Sequence, residues 1–249
     1  MAESLEGKVA VITGVGSGFG KATAEKFAAE DQVNLVLIDR NEKNLAATAE
    51  ACRAAGSQVV AIPGDVTNLE TFEIALKESL DNWGKVDFLI NYAGGALKVA
   101  PIEEMDDEIN QKIMDLNLTS TIMSCRTFTP QFKEQGYGKI INVSSACDRR
   151  SWPEWSVYSA AKAAVNAFTR CLYTELRPHG IAVGLLVPGG SNTGFQNAAE
   201  GVEDFEWEEE FAVRPEHFAD MLYQTCALTT GGVVTEVVVY GLAQDVSGY

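Results

Sequence analysis

The feature that most constrains the fold is an alternation along the chain, in which short runs of β-branched and other apolar residues are separated by longer segments of helical length. The runs predict seven strands, over residues 8–13, 33–38, 58–62, 86–90, 139–143, 181–187 and 233–240. Near-continuous apolar runs such as VNLVLI are typical of strands buried on both faces. The alternation therefore predicts an α/β fold, a doubly wound parallel sheet of about seven strands with helices on both faces.

The segments between these runs predict helices over residues 18–30, 42–55, 69–83, 105–135, 156–176 and 215–227. In the fifth helix, apolar residues recur at the spacing i, i+3, i+4 and i+7, so one apolar stripe is expected to pack on the sheet. Its members are Val157, Ala161, Ala164, Val165, Phe168, Leu172 and Leu176. Because we find no internal repeat, low-complexity tract or linker, we expect a single domain over residues 1–249.

Residues 191–212 break the pattern, because this stretch of about twenty residues is acidic and has no clean period. Connections between elements are usually shorter, and long ones often bind ligands or cover a site. We therefore expect a mobile loop here that contributes to substrate binding.

The chain carries 19 lysine and arginine residues against 35 aspartate and glutamate residues, which gives a formal net charge of −16 at pH 7. A field of this sign repels the phosphates of nucleic acids and anionic lipid surfaces. Nucleic acid and membrane are therefore not expected as partners, and a small-molecule substrate is favoured. The 46% content of hydrophobic residues suffices for a substantial buried core.

Five cysteines, an odd number, occur without a C-x-x-C pair and without a Cys/His cluster at zinc-binding spacing. This pattern argues against a disulfide framework and a metal site, and it fits a reducing compartment. The first residues are acidic where a signal peptide is positively charged, and no apolar run approaches the roughly 18 residues that a membrane span needs. We expect a cytoplasmic protein, in which Cys147 is a buried, inert thiol.

Four glycines in seven residues follow the first predicted strand and lead into the first predicted helix. They are Gly14, Gly16, Gly18 and Gly20. Glycines at this place let the backbone turn tightly and approach a ligand closely, while the exposed N–H groups at the helix start attract a pyrophosphate. The alternative is a plain tight turn, but the number and the position of the glycines favour nucleotide binding.

Asp39 directly follows the second predicted strand, nineteen residues after Gly20. A carboxylate at this point can accept hydrogen bonds from the adenosine ribose hydroxyls, and it would repel a 2′-phosphate. Arg40 argues the other way, since an arginine here can pair with such a phosphate. We expect NAD as the cofactor, with NADP as the less favoured alternative. Without a nucleotide, Asp39 would be a helix N-cap or an exposed loop acid.

Tyr158 and Lys162 stand four residues apart and therefore on one side of the fifth predicted helix. A tyrosine with its ordinary pKa of about 10 is a poor base at neutral pH, and lowering that pKa by about three units takes roughly 4 kcal/mol. An ammonium about 4 Å away supplies about 4 kcal/mol at an effective dielectric near 20, but only about 1 kcal/mol in bulk water. We therefore expect Lys162 to lower the pKa of Tyr158 in a partly dry site, although the Y-x-x-x-K spacing alone is frequent by chance.

Ser144 and Ser145 follow the fifth predicted strand, and Ser145 lies thirteen residues before Tyr158. In an open parallel sheet ligands bind at the carboxyl ends of the strands, so Ser145 can direct its hydroxyl at a bound carbonyl group. The alternative is a serine that caps the turn. The chain has two histidines, His179 before a strand and His217 in the last helix, and their places argue against Ser-His-Asp chemistry.

Several motifs follow one another in a definite order. They are T-G-x-x-x-G-x-G at residues 13–20, Asp39, D-V at Asp65 and Val66, N-Y-A-G at residues 91–94, Asn117, Ser145, Y-x-x-x-K at residues 158–162, and P-G at Pro188 and Gly189. This set, which covers residues 8 to about 193, resembles the short-chain dehydrogenase/reductase family. The resemblance implies a Rossmann-like sheet, a nicotinamide cofactor, and an oxidoreductase that acts on secondary alcohols or ketones.

The resemblance also implies the roles of individual residues. Tyr158 would be the general acid/base, with Ser145 on the substrate oxygen and Lys162 beside the tyrosine. Asn117 would interrupt a helix and hold a water that relays protons to Lys162. The cofactor would bind to Gly14, Ser17, Gly18, Phe19, Gly20, Asp39, Arg40, Asp65, Val66, Asn91, Ala93, Gly94, Tyr158, Lys162, Pro188, Gly189 and Thr193. A homotetramer or homodimer is implied as well, with contact faces on the helices around residues 105–135 and 156–176.

Two parts of the sequence depart from the family pattern. Tyr92 replaces the second asparagine of N-N-A-G, a change that should be tolerated because backbone contacts dominate there. The C-terminal VVTEVVVYGLAQ lacks the common V-D-G-G ending. The resemblance therefore does not extend to the usual subunit packing at that end.

Arg149, Arg150 and Trp152 follow Ser145 closely, and Trp155 lies just beyond them. On a loop that rims the pocket, these side chains could anchor a carboxylate or phosphate of the substrate beside an aromatic wall. The alternative is that they are exposed loop residues or form a subunit contact. The sequence leaves both interpretations open.

Two other classes of protein use a similar frame. A non-catalytic dinucleotide-binding sensor on the same fold would keep the glycines and could lose the tyrosine, lysine or serine, all of which are present here. A methyltransferase also places glycines after its first strand and an acid after its second, but it has no use for a Tyr/Lys pair. We therefore expect hydride transfer between a nicotinamide cofactor and a secondary alcohol or ketone, with the sensor as the alternative.

Overall fold

A computed structural model describes residues 3–195, 198–202, 208–209, 211–228 and 232–244 of the chain. Its strands are β1 (Val9–Thr13), β2 (Asn34–Asp39), β3 (Val59–Pro63), β4 (Phe88–Asn91), β5 (Gly138–Val143), β6 (Ile181–Pro188) and β7 (Glu236–Val239). They form one parallel sheet in the order β3-β2-β1-β4-β5-β6-β7. The prediction of a doubly wound parallel sheet of about seven strands is confirmed.

Helices connect the strands. They are α1 (Gly18–Asp31), α2 (Glu42–Ala54), α3 (Leu69–Trp83), α4 (Asp107–Met114), α5 (Ser120–Gln135), α6 (Ser156–Leu176) and α7 (Pro215–Cys226). The strand order runs outward from β1 in one direction and from β4 in the other, so the order reverses between these two neighbours. In sheets of this kind, ligands bind in the crevice beyond the carboxyl ends of the strands at the point of reversal.

Both faces of the sheet are buried under apolar clusters. Successive residues of a strand point to opposite sides, so neighbours in one strand belong to different clusters. On β1, Ile12 belongs to an apolar cluster with Phe27 of α1 and Phe218 of α7. Its neighbour Val11 belongs to a second cluster, which includes Phe128 of α5. The strands therefore read as near-continuous apolar runs, and α1 and α5 lie on opposite faces of the sheet.

Two predicted elements differ from the structure. The helix predicted over residues 105–135 consists of α4 and α5 joined by a π-helical turn at Asp115–Thr119. A π-turn adds one residue to a helical turn, which the apolar period of the sequence does not reveal. The strand predicted over residues 233–240 is confined to β7, because it pairs only with residues 185–188 of β6 at the edge of the sheet.

None of the helices in the described ranges is long and apolar enough to cross a membrane. All five cysteines are free thiols. Among the same described residues, no group of three or more His, Cys, Asp or Glu side chains is placed to hold a metal ion.

Asp87, just before β4, is a buried carboxylate at the amino edge of the sheet. It accepts the N–H of Val9 at 2.8 Å. Lys8 and Lys85 form ion pairs with it at 3.4 Å and 3.1 Å. A buried charge is tolerated only where such partners offset its desolvation. This group therefore holds the starts of β1 and β4 side by side, at the edge opposite to the carboxyl ends of the strands.

Replacing Asp87 with asparagine is expected to lower the free energy of unfolding by about 1.5–3 kcal/mol, because the substitution removes the charge that pairs with Lys8 and Lys85. Urea unfolding followed by circular dichroism measures this loss. Ligand binding at the carboxyl edge should stay the same, since Asp87 lies at the other edge. An unchanged unfolding midpoint would show that the ion pairs contribute no stability.

Candidate active site

The turn between β1 and α1 leaves no room for a side chain at Gly14 or Gly20. A Cβ on Gly14, whose φ is +72°, would lie 2.8 Å from the backbone nitrogen of Ala93, and a Cβ on Gly20 would overlap the carbonyl oxygen of Gly14. Ser17 is the N-cap of α1 and makes no side-chain capping hydrogen bond. The first N–H groups of α1 are therefore available at the cleft, an arrangement that suits a phosphate group.

Asp39 is the last residue of β2, and it packs against the glycine turn. Its carboxylate accepts the N–H of Gly16 at 2.7 Å and the N–H of Asn41 at 2.8 Å. Asp39 and Arg40 both line the cleft at this end. The carboxylate thus stabilises the turn and places a negative charge beside it.

A cleft of about 1010 Å³ runs along the carboxyl edge of the sheet. Ligand pockets usually have about 300–1,000 Å³, so this cleft has room for a dinucleotide and a substrate. The residues predicted to bind the cofactor that line it are Gly14, Ser17, Gly18, Phe19, Gly20, Asp39, Arg40, Asp65, Val66, Ala93, Gly94, Tyr158, Lys162, Pro188, Gly189 and Thr193. The available groups fit a dinucleotide, with N–H donors for the pyrophosphate and a carboxylate for the ribose hydroxyls.

Asn91 is the exception among the predicted cofactor residues, because its side chain does not line the cleft. It pairs in register with Asn142 of β5, and its Nδ2 donates to Asn142 Oδ1 at 2.8 Å. Its Oδ1 accepts the hydroxyl of Ser124 on α5 at 2.7 Å. These buried hydrogen bonds use the amide to join β4, β5 and α5, so a cofactor contact at Asn91 stays a prediction that concerns its backbone.

Ser145, Tyr158 and Lys162 lie on one wall of the cleft. Tyr158 and Lys162 project from α6 and are only 5% and 4% exposed. Ser145 follows β5 and forms a hydrogen bond with Tyr158. The Lys162 ammonium donates to the carbonyl oxygen of Val143 at 3.0 Å and lies 5.8 Å from the centroid of the Tyr158 ring. The end of β5 and the start of α6 thus bring the three predicted side chains together.

Burial governs the titration of both ionisable groups in this wall. Desolvation raises the pKa of Tyr158 far above its ordinary value, and the hydrogen bond with Ser145 opposes the rise only in part. Desolvation also lowers the pKa of Lys162 to about 8. In the protein alone, burial thus opposes the lowering of the Tyr158 pKa that we predicted from Lys162, because desolvation disfavours the phenolate.

Asn117 lies in the π-helical turn and is fully buried behind the cleft. Its Nδ2 donates to the carbonyl oxygen of Gly95 at 2.8 Å, and its Oδ1 accepts the N–H of Gly95 at 3.1 Å. A Cβ on Gly94 would come within 2.7 Å of Asn117 Oδ1 and 3.1 Å of Lys162 Nζ. The Asn117 side chain thus holds the loop after β4 close to Lys162.

Tyr92, the residue that departs from the family motif, is one of the residues that line the cleft. Its hydroxyl shares a hydrogen bond of 2.8 Å with the hydroxyl of Thr23 on α1. Burial raises the pKa of this phenol. The substitution therefore links the loop after β4 to α1 and leaves Tyr158 as the phenol beside Ser145.

Three aromatic rings pack on one another at the catalytic end of the cleft, and we call Trp155, Tyr158 and Phe195 the aromatic wall. Ring centroids lie 5.6 Å apart for Trp155 and Tyr158, 5.4 Å for Tyr158 and Phe195, and 6.4 Å for Trp155 and Phe195. Trp152 and Phe211 also line the cleft. The sequence did not single out Phe195, since only its place in the long loop after β6 pointed to the site.

Two neighbouring arginines after β5 occupy different environments. Arg149 does not line the cleft, because it forms ion pairs with Asp148, at 2.6 Å from its Nε, and with Glu236 of β7. Of the two interpretations that the sequence left open, these ion pairs do not favour substrate binding by Arg149, since carboxylates of the protein already satisfy its guanidinium. Arg150 does line the cleft, and its guanidinium carbon lies 5.4 Å from the centroid of the Tyr240 ring.

The predicted substrate loop over residues 191–212 is described only in part. The prediction of mobility falls partly on residues 196–197, 203–207 and 210, which lie outside the described residues. Within residues 198–202, Glu200 donates its N–H to the carbonyl oxygen of Leu97 and accepts the N–H of Val99, both at 2.8 Å. This segment therefore pairs with the chain after β4, and Ala198 lines the cleft.

Comparisons with known proteins show the family to which the chain is similar. A family model for short chain dehydrogenase matches residues 8–203. The 1,6-dihydroxycyclohexa-2,4-diene-1-carboxylate dehydrogenase of Pseudomonas putida is 34% identical over 206 residues, which cover 82% of this chain and 75% of that protein. The 3beta-hydroxysteroid dehydrogenase 1 of Eggerthella lenta is 33% identical over 195 residues, or 78% and 74%. The solved structure of an alcohol dehydrogenase from Thermococcus sibiricus, complexed with 5-hydroxy-NADP, has a TM-score of 0.84 at 26% identity and covers 96% of this chain and 98% of that one.

Proposed function

The chain belongs to the short chain dehydrogenase family, and we propose that it is an NAD-dependent oxidoreductase that interconverts a secondary alcohol and a ketone, with Tyr158 as general acid/base. Enzymes of this family act on small molecules, and their fold binds nicotinamide cofactors. One observation carries the proposal: Ser145, Tyr158 and Lys162 line the same cleft as the glycine turn and Asp39. A dinucleotide-binding end and a proton-transfer end thus share one cavity.

In the proposed reaction, Tyr158 exchanges a proton with the substrate oxygen. Because Ser145 is hydrogen-bonded to Tyr158, the two hydroxyls can approach one substrate oxygen together, and Ser145 would stabilise the charge that develops there. The nicotinamide cofactor, when bound, supplies or accepts the hydride. The protein contributes orientation, exclusion of water and the management of the proton.

Lys162 would pass the proton onward from Tyr158. With a pKa of about 8, the amine is present in both protonation states close to neutral pH, which suits proton exchange. Gly94 allows Asn117 and Lys162 to come close, because a side chain there would meet both. The turn that contains Asn117 would connect the amine to solvent.

Replacing Tyr158 with phenylalanine is expected to lower kcat at least about a hundredfold, the usual size of a general acid/base contribution, with NAD affinity unchanged. Absorbance of the reduced cofactor measures turnover, and quenching of tryptophan fluorescence measures binding. Tyr223→Phe is the matched control, because that hydroxyl bonds to Asp31 outside the cleft. Turnover near the wild-type rate in the Tyr158 variant would refute the proposal.

The proposed preference for NAD over NADP is based on the charge of Asp39. This carboxylate lies in the cleft and is held there by the N–H groups of Gly16 and Asn41. A 2′-phosphate beside it would meet a like charge, which costs several kcal/mol when water is displaced. Arg40 also lines the cleft and would offset part of this repulsion.

Replacing Asp39 with asparagine is expected to lower the ratio of kcat/KM for NAD to kcat/KM for NADP by about tenfold or more, since about 1.4 kcal/mol of lost repulsion corresponds to a factor of ten. Parallel assays with the two cofactors give the ratio. Glu42→Gln removes a charge at the start of α2 outside the cleft lining and should change the ratio little. Equal effects of both substitutions would contradict the assignment.

We also propose that the substrate carries an apolar ring next to its reacting carbon. In the aromatic wall, Trp155 packs edge-on and Phe195 packs tilted against Tyr158, and Trp152 and Phe211 extend the apolar lining of the cleft. Rings gain contact with such surfaces through offset or edge-to-face packing. Two relatives of the chain are, by name, dehydrogenases of a cyclohexadiene carboxylate and of a hydroxysteroid, which supports this choice.

Replacing Phe195 with alanine is expected to raise KM for 1-phenylethanol about tenfold, because one aromatic ring contact worth about 1–1.5 kcal/mol is lost. The KM for 2-butanol, which has no ring to stack, should change by less than about twofold under the same conditions. Initial rates with both alcohols test the proposal. Equal increases for both would mean that Phe195 supports only the position of Tyr158.

Three further proposals concern the whole chain. We propose that one domain, residues 1–249, carries both sites, since both lie at the edge of one sheet. We propose a homotetramer or homodimer that uses faces of α4, α5 and α6, where Ile122 is an exposed apolar side chain on α5. A cytoplasmic location is proposed because five free thiols suit a reducing compartment.

A further inference from the structure

Asp148 has a fully buried carboxylate, with a side chain that is 0% exposed. It lies in the turn after β5, next to the wall of the cleft that carries Ser145, Tyr158 and Lys162. Three side chains donate to it: Ser144 Oγ at 2.8 Å, Asn166 Nδ2 at 2.8 Å and Arg149 Nε at 2.6 Å. A carboxylate buried to this extent is stable only when several donors and an opposite charge offset its lost hydration. Asp148 and its three donors therefore form a buried hydrogen-bond network rather than a surface ion pair.

The donors come from separate elements that meet at the active site. Ser144 directly follows β5, and its hydroxyl also lies 3.0 Å from the carbonyl oxygen of Lys162. Asn166 lies one turn after Lys162 on α6. Asp148 itself donates its backbone N–H to the carbonyl oxygen of Ser145 at 2.9 Å. The carboxylate thus ties the turn that carries Ser145 to the helix that carries Tyr158 and Lys162.

Arg149 extends this tie to the edge of the sheet. Its guanidinium bonds to Asp148 on one side and to Glu236 of β7 on the other. Arg170 of α6 lies 3.8 Å from the same glutamate. The ion pairs of Arg149 with Asp148 and Glu236 therefore connect the turn that carries Ser145 with β7. They also explain why Arg149 does not line the cleft.

We propose that Asp148 is a positioning residue, which holds Ser145 against Tyr158 and places one negative charge behind the acid/base pair, and that Arg149 partly neutralises this charge. The inference rests on the proposed function, because it assigns to Asp148 an influence on the proton transfer of Tyr158. It adds a residue that the glycine turn and the Y-x-x-x-K motif do not include.

The charged and titratable groups around Tyr158 determine the sign of the effect. Lys162 faces it from α6, and Cys147 and Asp148 face it from the turn after β5; Arg149, Arg150 and, through Arg149, Glu236 lie beyond. Burial is the main cause of the raised pKa of Tyr158, and the charge of Asp148 raises it further. The same charge acts against the burial that lowers the pKa of Lys162.

Two single substitutions are expected to shift the pH dependence in opposite directions. Asp148→Asn removes a negative charge, so the acid limb of kcat/KM for alcohol oxidation at saturating NAD should move to lower pH by about one unit, the size expected for one charge within about 10 Å at an effective dielectric near 20. Arg149→Met removes a positive charge and leaves Asp148 less neutralised, so the limb should move to higher pH. Tyrosinate absorbance of the NAD complex, corrected by the Tyr158→Phe variant, reports the same titration without turnover.

Loss of position is a separate readout. Asp148→Asn should also lower kcat roughly tenfold to a hundredfold, with NAD affinity unchanged, because a misplaced catalytic group costs rate rather than cofactor binding. Asp87→Asn is the matched control: it too removes a buried, ion-paired carboxylate, but at the amino edge of the sheet. It should lower stability without moving the pH profile.

The outcomes separate this inference from the proposed function. Shifts in the same direction for both variants, or no shift in either, would overturn the role of Asp148 even when Tyr158→Phe abolishes turnover. If Asp148→Asn does not fold, Arg149→Met carries the test, since its shift to higher pH supports the role and any other result overturns it. Full activity of Tyr158→Phe would instead overturn the proposed function.

Discussion

All seven strands run parallel, so each strand delivers the residues that follow it to the same edge of the sheet. The glycine turn after β1, Asp39 at the end of β2, Ser145 after β5 and Pro188 at the end of β6 are far apart in the chain but line one cleft. This delivery requires the strands to stay in register under two buried apolar layers. Asp87 and its two lysines hold the starts of β1 and β4 together, which leaves the carboxyl edge to bind ligands.

Burial determines how Tyr158 and Lys162 titrate. It favours the neutral form of each group, since it raises the pKa of Tyr158 and lowers that of Lys162. In the protein alone the phenol therefore stays neutral and the amine is partly deprotonated, and forming the phenolate costs more than it would in water. The balance is therefore sensitive to every charge nearby, and this is why the buried carboxylate of Asp148 matters so close to the site.

Some buried polar side chains line the cleft, whereas others hold strands and loops in place. Asn91 and Asn142 share a hydrogen bond between adjacent strands, and Asn117 holds the loop after β4, although none of the three side chains lines the cleft. Arg149 is occupied in the same way by Asp148 and Glu236. These side chains thus hold in place the backbone and side chains around the cleft. Ser145, Tyr158 and Lys162, by contrast, are polar side chains that line the cleft and can act on a ligand.

The alternation of apolar runs and helical segments was enough to predict the sheet and most of its helices, because burial on both faces leaves a pattern that is local in the chain. The glycines, Asp39, Ser145 and the Tyr158/Lys162 pair could be recognised for the same reason, as each lies at a definite offset from a strand or along one helix. Tertiary structure alone decided that Phe195 packs against Tyr158, that Arg149 faces Glu236, and that the pKa of Tyr158 rises. These outcomes depend on which distant groups meet a side chain and how much water they displace, and neither quantity is written in local spacing.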